Sequence, residues 1–275
     1  MTELPDPRDS IGVPIPFEDL LPLWHGKKDP DYPERCGWEG PRPDDDWGGS
    51  RAWRWSEHRL AKIWFVPVDV PGHVGNWGDW EKRRDEIVAG LSELGFEVEM
   101  YPDGSSDELI EMLQGPADYR LIAAHGEEDE DGIRATDRIV SWSTITENIG
   151  ATGLLHMLSC WSFGAGCVDD GGYYKFRDGL LHVGCSAAIL CHGSGHHFPG
   201  QLPSGESFEI QRILWLIGRS LKVGLRAAIT EHRNGYQSML GKLGASILVD
   251  HEGVVGDPKW GIKKVSHSES ESPQS

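Results

Sequence analysis

Apolar runs alternate with amphipathic segments between about residue 60 and residue 262 of the chain. Residues 61–70, AKIWFVPVDV, are almost all apolar and rich in β-branched side chains, which predicts a buried strand. Residues 79–95 then place apolar side chains at helical spacing, with Asp79 as the predicted N-cap and Gly95 at the end. The first unit of the fold is therefore predicted to be a strand followed by a helix.

The same alternation continues along the chain. Further strands are predicted at residues 96–101, 119–126, 153–160 and 179–191, and a closing strand with a loop at residues 245–261. One helix is predicted at residues 105–115, and a short helical turn from about Ser143. Residues 207–234 are predicted to form one long helix or a helix pair, and residues 132–142 a small hairpin. Such alternation predicts an α/β fold with a mostly parallel sheet flanked by helices.

Three regions differ in composition. Residues 1–58 are rich in Pro, Asp, Gly and Trp without periodicity, and they are predicted to form an irregular N-terminal arm. Residues 59–264 are predicted to form a single domain, and residues 265–275 a polar disordered tail.

Charge and cysteine content limit the classes of function. The formal net charge of −18 repels phosphate backbones, so nucleic acid is not an expected ligand. We find no secretory signal and no run approaching the ~20 apolar residues of a membrane span. Five cysteines, an odd number, favour free thiols in a reducing compartment. The expected location is the cytoplasm, without a membrane partner.

A histidine and a cysteine stand where two of the predicted strands end. The run LIAAHG ends in His125 and Gly126, and the run LHMLSC ends in Cys160. Functional groups collect at the carboxyl ends of parallel strands, so adjacent strands would bring the imidazole and the thiol together. This arrangement suits a cysteine nucleophile with a histidine as general base and acid. The amides of Gly126 and Cys160 would then bind the oxyanion.

Each of these residues also has a structural interpretation. A lone histidine at a strand end is usually a satisfied structural residue, and a lone cysteine is usually a small core side chain. The appearance of both at one edge of the sheet favours the catalytic interpretation.

The two motifs resemble those of the caspase-like cysteine peptidases of clan CD. The chain is most similar to the gingipain-like branch and to the CHAT-type branch (caspase, HetF-associated). Three further features carry this resemblance over residues 60–262: the hairpin GIRATDRIVSW, the glycine-rich WSFGAG after the cysteine, and the VVGDP string near the end. Two features depart from it, namely Trp161 directly after the cysteine and the first 58 residues.

The resemblance implies a cysteine endopeptidase that needs no cofactor and acts on protein substrates. Relatives of this type often work in proteolytic cascades and stay inactive until a protease or a partner activates them. An upstream activating protease or a regulatory partner is therefore expected.

Acidic residues near both motifs are candidates for substrate binding. The acidic run after Gly126 and the pair after the glycine-rich turn would accept an Arg or Lys side chain of a substrate, so we hypothesise a preference for basic residues at the cleaved position. The candidate substrate-binding residues are Glu127, Asp129, Asp169, Asp170 and His192. A solvated loop is the ordinary interpretation of such a run. Calcium bound by the acidic loop is a further alternative.

Three alternatives stay open. Cys167, seven residues after Cys160, is a rival nucleophile. Residues 185–197 contain Cys and His side chains that suit a metal-dependent hydrolase centred on His192–His197, although their spacing fits no familiar zinc pattern and we expect no metal. A third alternative is a non-enzymatic regulatory or binding module that keeps the same fold.

Overall fold

The structure is a computed structural model that describes residues 53–55, 58–66, 80–127, 132–159, 162, 175–191, 206–240 and 252–262. Most of the predicted N-terminal arm and all of the predicted tail at residues 265–275 lie outside these ranges. The predicted helix cap Asp79 also lies outside them.

A six-stranded sheet forms the centre of the described residues. The strands of this sheet and of a second, smaller one are β1 (Arg59–Phe65), β2 (Phe96–Tyr101), β3 (Ala117–Ala123), β4 (Gly126–Glu127), β5 (Gly132–Arg134), β6 (Ile139–Ser141), β7 (Thr152–Leu158), β8 (Cys185–Cys191) and β9 (Glu252–Gly256). The central sheet has the order β2-β1-β3-β7-β8-β9. The first five strands in this order run parallel to one another, and β9 is antiparallel to β8. The predicted mostly parallel sheet is confirmed.

Helices cover both faces of this sheet. They are α1 (Trp80–Glu93), α2 (Ser106–Leu113), α3 (Trp142–Asn148), α4 (Lys175–Val183), α5 (Phe208–Val223) and α6 (Leu225–Leu240). Side chains of α1, α5 and α6 pack with one face of the sheet in the first core cluster. Side chains of α2, α3 and α4 pack with the other face in the second core cluster. The architecture is therefore three layers, and the helices flank the sheet as predicted.

The central strands are buried along their whole length because both of their faces are covered. Every residue of β3, β7 and β8 is buried. β2 lies at the end of the sheet and alternates instead, with Glu97 and Glu99 on its exposed positions. Continuous burial in the middle and alternation at the edge are what a doubly covered parallel sheet requires.

A serine side chain caps the N-terminus of α2. Ser105 precedes α2 and its hydroxyl accepts a hydrogen bond from the Glu108 amide. The Glu108 carboxylate accepts in return from the amides of Asp103 and Gly104. Because the first turn of a helix has amides without helical partners, the Ser105 bond fixes where α2 begins, and the Glu108 bonds hold the chain just before it.

The prediction of one strand over residues 179–191 is wrong in its first half. Residues up to Val183 belong to α4, in which Leu180 is buried among the second core cluster. Gly184 has a φ of 123° and separates α4 from β8, which begins at Cys185. A short apolar run has no periodicity that distinguishes a buried helix from a buried strand, and this explains the error.

The long helical segment predicted at residues 207–234 is a helix pair. Gly224 has a φ of 88° and separates α5 from α6, and its amide donates to the Ser220 carbonyl. A positive φ is strained for any residue with a β-carbon, so glycine permits the break at this position.

A second, small sheet stands at the carboxyl edge of the main one. β4, β5 and β6 form an antiparallel sheet directly after β3, as the predicted hairpin requires.

Among the described residues, no helix has the length and apolar character of a membrane span.

Candidate active site

His125 lies two residues beyond the end of β3. The amide of Ala124 donates to the carbonyl of Leu158 at 3.3 Å, so the chain still runs beside β7 just before the histidine. The carbonyl of His125 accepts from the Arg134 amide of β5 at 2.8 Å. The histidine is half-buried. Its backbone is thus held between the main sheet and the small sheet.

A constant register relates the two strands that lead to the candidate dyad. Thr152 lies opposite Ala117 and Leu158 lies opposite Ala123, a separation of 35 residues in each pair. His125 and Cys160 are separated by the same 35 residues. Cys160 itself lies outside the described residues.

The residues on both sides of Cys160 are held by the sheet. Ser159 follows β7 directly and is fully buried, and its hydroxyl has no hydrogen-bond partner among the residues that the structure describes. Ser162 is also buried, and its hydroxyl accepts from the Cys191 amide at 2.8 Å. Ser159 therefore lies at the end of β7, and Ser162 is attached to the last residue of β8.

Gly126 is the first residue of β4 and is half-buried. It lies opposite Ile133, and the Arg134 amide bonds the carbonyl one residue before it. In an antiparallel ladder, hydrogen-bonded and non-hydrogen-bonded pairs alternate, so the Gly126–Ile133 pair is of the second kind. The N–H of Gly126 consequently points away from β5.

Of the candidate substrate-binding residues, the structure describes the backbone of Glu127 alone. Glu127 forms the end of β4 opposite Gly132. The remaining candidates and the rival nucleophile, namely Asp129, Asp169, Asp170, His192 and Cys167, lie outside the described residues. Their role stays a prediction.

The two described cysteines at the ends of β8 are core residues. Cys185 is buried, and desolvation raises the pKa of its thiol to about 12. Cys191 is buried, and its thiol donates to the carbonyl of Met157 at 3.4 Å. A buried thiol with a raised pKa is a poor nucleophile and a poor metal ligand at neutral pH. Within the described ranges no three Cys, His, Asp or Glu side chains gather as metal ligands would. His196 and His197 are not among those residues.

Asp137 makes a contact that the sequence analysis missed. It lies at the tip of the β5–β6 hairpin, and its carboxylate accepts from the amide of Ser106 at 2.8 Å and from the hydroxyl of Ser106 at 2.6 Å. These bonds lower the pKa of Asp137 from its ordinary value, with a smaller contribution from the charge of Arg138. An aspartate in a turn is common, so the local pattern does not indicate a partner 31 residues away.

Arg120 and Asp118 are buried at the opposite, amino edge of the sheet. The Arg120 guanidinium donates to backbone carbonyls in the last turn of α2, just after α2 and just before β7, and to the Thr152 hydroxyl. Desolvation lowers its pKa to about 10. The Asp118 carboxylate accepts from the Leu60 amide at 2.9 Å. These two charged side chains stabilise the fold on the side away from His125.

Solved structures with a similar arrangement of the chain include bacterial cysteine proteinases. The Arg-specific cysteine proteinase gingipain R is similar with a TM-score of 0.49 and 13% identity, over 74% of this chain and 47% of that chain. The complex of the pro- and mature domains of RgpB from Porphyromonas gingivalis gives a TM-score of 0.44 and 15% identity, over 74% and 48%. This chain spans about half the length of either matched chain. No protein-family model and no curated protein sequence matches this chain.

Proposed function

We propose that this protein is a cysteine endopeptidase of the caspase-like type, with Cys160 as the nucleophile and His125 as the general base and acid. The observation that carries the proposal is the register of β3 against β7. Their pairs have an offset of 35 residues along the whole ladder, and His125 and Cys160 have that same offset. Continued two residues beyond the last pair, the same register favours the His125 imidazole and the Cys160 thiol on neighbouring extended segments, whose backbones lie about 5 Å apart.

The direction of the side chains supports the same pairing. Ala123 and Leu158 both pack in the first core cluster, so they lie on one face of the sheet. Side chains two residues apart in an extended chain point to the same face. An extended continuation of both strands therefore favours the same side for His125 and Cys160, which a proton transfer between them requires.

The chemistry follows from this pair. The Cys160 thiolate attacks the carbonyl carbon of the scissile peptide, and the carbonyl oxygen becomes an oxyanion. The C–N bond then breaks, and His125 gives its proton to the leaving amine. Water attacks the resulting thioester while His125 takes up a proton, and the thiolate leaves with the carboxylic acid product released. The whole cycle needs no cofactor.

Gly126 suits the oxyanion site for two reasons. Its N–H points away from β5 because it occupies a non-hydrogen-bonded position of the hairpin. It also lacks a β-carbon, so a substrate carbonyl can approach the backbone closely. The Cys160 amide is the proposed second donor, as in other acyl-transfer sites where two N–H groups converge on the oxyanion.

We assign a preference for Arg or Lys at the cleaved position to this site. The proposal rests on the acidic residues that follow His125 and Cys160, namely Glu127, Asp129, Asp169 and Asp170. A carboxylate at the mouth of the cleft would form charge-assisted hydrogen bonds with a basic side chain.

Labelling with peptide acyloxymethyl ketones tests the reaction and the preference together. Four probes carry Arg, Lys, Asp or Asn at the reactive position, and each is applied with and without calcium to the wild-type chain, Cys160→Ala and Cys167→Ala. We expect one adduct by mass spectrometry, on Cys160, with the Arg and Lys probes. The adduct is expected to persist in Cys167→Ala and to disappear in Cys160→Ala.

Other outcomes overturn specific parts of the proposal. An adduct on Cys167 would exclude Cys160 as the nucleophile. Faster labelling by the Asp or Asn probe would exclude a basic preference. No adduct under any condition, including after limited proteolysis of the arm, would favour a non-enzymatic module of the same fold.

A further inference from the structure

The tip of the β5–β6 hairpin is bonded to the N-terminus of α2. Asp137 accepts two hydrogen bonds from Ser106, the first residue of α2. The amide of Thr136 donates to the carbonyl of Gly104 at 2.9 Å. The guanidinium of Arg138 donates to the Ser106 hydroxyl at 2.8 Å. Three consecutive residues of the hairpin tip thus hold the start of one helix, and we call this set of bonds the hairpin clamp.

The helix end that receives the hairpin is itself firmly anchored. The carbonyl of Ser105, the N-cap of α2, accepts from the indole nitrogen of Trp64 in β1 at 3.1 Å. Leu109, Met112 and Leu113 of α2 are completely buried in the second core cluster. The N-terminus of α2 is therefore a fixed support at the carboxyl edge of the sheet.

The strand β5, which leads into the tip, holds His125 and Gly126. Arg134, next to the tip, donates its amide to the His125 carbonyl at 2.8 Å, and Ile133 lies opposite Gly126. β4 and β5 are only two and three residues long. So short a ladder has little stability of its own, and its position depends on what holds the tip.

We infer that Asp137 is a positioning residue for the reaction proposed above: its carboxylate fixes the hairpin on α2, and through Arg134 it fixes the backbone of His125 and Gly126. Asp137 does not touch the reacting atoms. Its carboxylate bonds an amide that the helix leaves without a partner, which is a favourable place for a negative charge. This inference rests on the proposed function, because the positioned groups are the proposed base and oxyanion donor.

Two measurements on Asp137→Ala and Asp137→Asn test the inference. The first is amide hydrogen exchange of Arg134, which reports the His125–Arg134 bond without any need for activity. The second is steady-state cleavage of the best peptide from the labelling experiment. We expect Arg134 exchange to accelerate about tenfold or more in Asp137→Ala as the hairpin opens locally. We expect kcat to fall about tenfold while KM stays within about twofold, because misplaced groups weaken the reaction step.

Asp137→Asn keeps one oxygen that can accept from the Ser106 amide, so its values are expected to lie between those of the wild type and Asp137→Ala. Asp107→Ala is the matched control at the same helix end, because the Asp107 side chain is almost fully exposed and, among the described residues, its ion pair is the long one with Arg138 at 3.9 Å. Asp118→Asn is the control for stability alone, because it weakens bonds at the opposite edge. Neither control is expected to change Arg134 exchange or kcat.

Unchanged Arg134 exchange in Asp137→Ala would overturn the inference, as would an equal loss of kcat in Asp118→Asn. The two proposals fail separately. A wild-type chain that never forms the Cys160 adduct overturns the proposed function, whereas the exchange of Arg134 decides whether the clamp holds the His125 backbone.

Discussion

The indole nitrogen of Trp53 donates a 2.6 Å hydrogen bond to the carboxylate of Asp118, at the amino edge of the sheet. The same carboxylate accepts from the Leu60 amide, so one side chain holds both the end of the arm and the start of β1. Trp55 adds to this attachment, since its ring lies 5.5 Å from that of Trp260 and under the guanidinium of Arg59. The last residues of the arm therefore belong to the folded unit.

Loss of the Trp53 bond is expected to destabilise the fold. Trp53→Phe keeps most of the ring but removes the donor, and it leaves one oxygen of Asp118 without this partner. We expect the free energy of unfolding to fall by about 1–2 kcal/mol. Urea unfolding followed by circular dichroism measures the change. Asp118→Ala is expected to cost more, because it also leaves the Leu60 amide without its acceptor, and a smaller loss in that variant would contradict the shared role of Asp118.

Replacement of the buried Arg120 is expected to be more harmful. Arg120→Met fills a similar volume but leaves the carbonyls of Met112 and Gly115 and their neighbours without a donor. We expect a loss of about 3 kcal/mol or more. Lys222→Met, at an exposed position of α5, is the control and is expected to stay within about 0.5 kcal/mol of the wild type. Equal unfolding midpoints for the two variants would exclude this role for Arg120.

Because of the hairpin clamp, we expect the stability of the fold to depend on pH. The Ser106 bonds lower the pKa of Asp137 in the folded state, with a contribution from Arg138. The stability that Asp137 contributes is therefore present above the ordinary aspartate pKa of about 4 and is lost as the pH falls through the lower, folded value. We expect the difference in Tm between the wild type and Asp137→Asn to shrink below about pH 4.

Ser106→Ala provides the background for checking that pH effect, because it removes the hydroxyl that contributes most to the shift. In this background the Asp137→Asn difference is expected to depend less on pH. An equally steep pH dependence in this background would mean that charges outside the hairpin clamp cause the effect.

Removal of the proposed base is expected to change the reactivity of Cys160. A thiol activated by a neighbouring imidazole is alkylated well below its usual pKa, so iodoacetamide should modify Cys160 at pH ~6–7 in the wild type. In His125→Ala we expect the midpoint to rise toward about 8.5, and kcat to fall by a factor of about 10² or more. His182→Ala, at an exposed position of α4, is the control. Identical pH profiles for His125→Ala and the wild type would exclude the dyad.

The sequence was sufficient to predict the layered fold because the buried strands leave a strong signal. The runs at β1, β3 and β7 are mostly apolar, and the sequence places helical or turn-rich segments between them. The antiparallel direction of β9 could not be predicted in the same way. Its short run has no periodicity that reports strand direction, which depends on how the chain returns after α6.

The candidate site was predictable only in part. The 35-residue spacing of His125 and Cys160 is visible in the sequence and equals the offset of the β3–β7 pairs, and the pairing of the two side chains stays a prediction. Contacts such as Asp137 with Ser106 and Trp53 with Asp118 join residues 31 and 65 positions apart. Nothing in the local pattern of hydrophobic and polar residues encodes such pairs, because they depend on where the tertiary fold places two loops.

The order of the strands has a consequence for how the chain folds. Ala117 pairs with Thr152, Arg59 with Phe96, and Ala187 with Gly256, so no neighbouring strands of the main sheet are close in sequence. Each pairing closes a long loop, and the loss of chain entropy precedes the gain from contacts. We therefore expect slow folding through populated intermediates, in which unpaired apolar strands are exposed to aggregation before the last strand arrives.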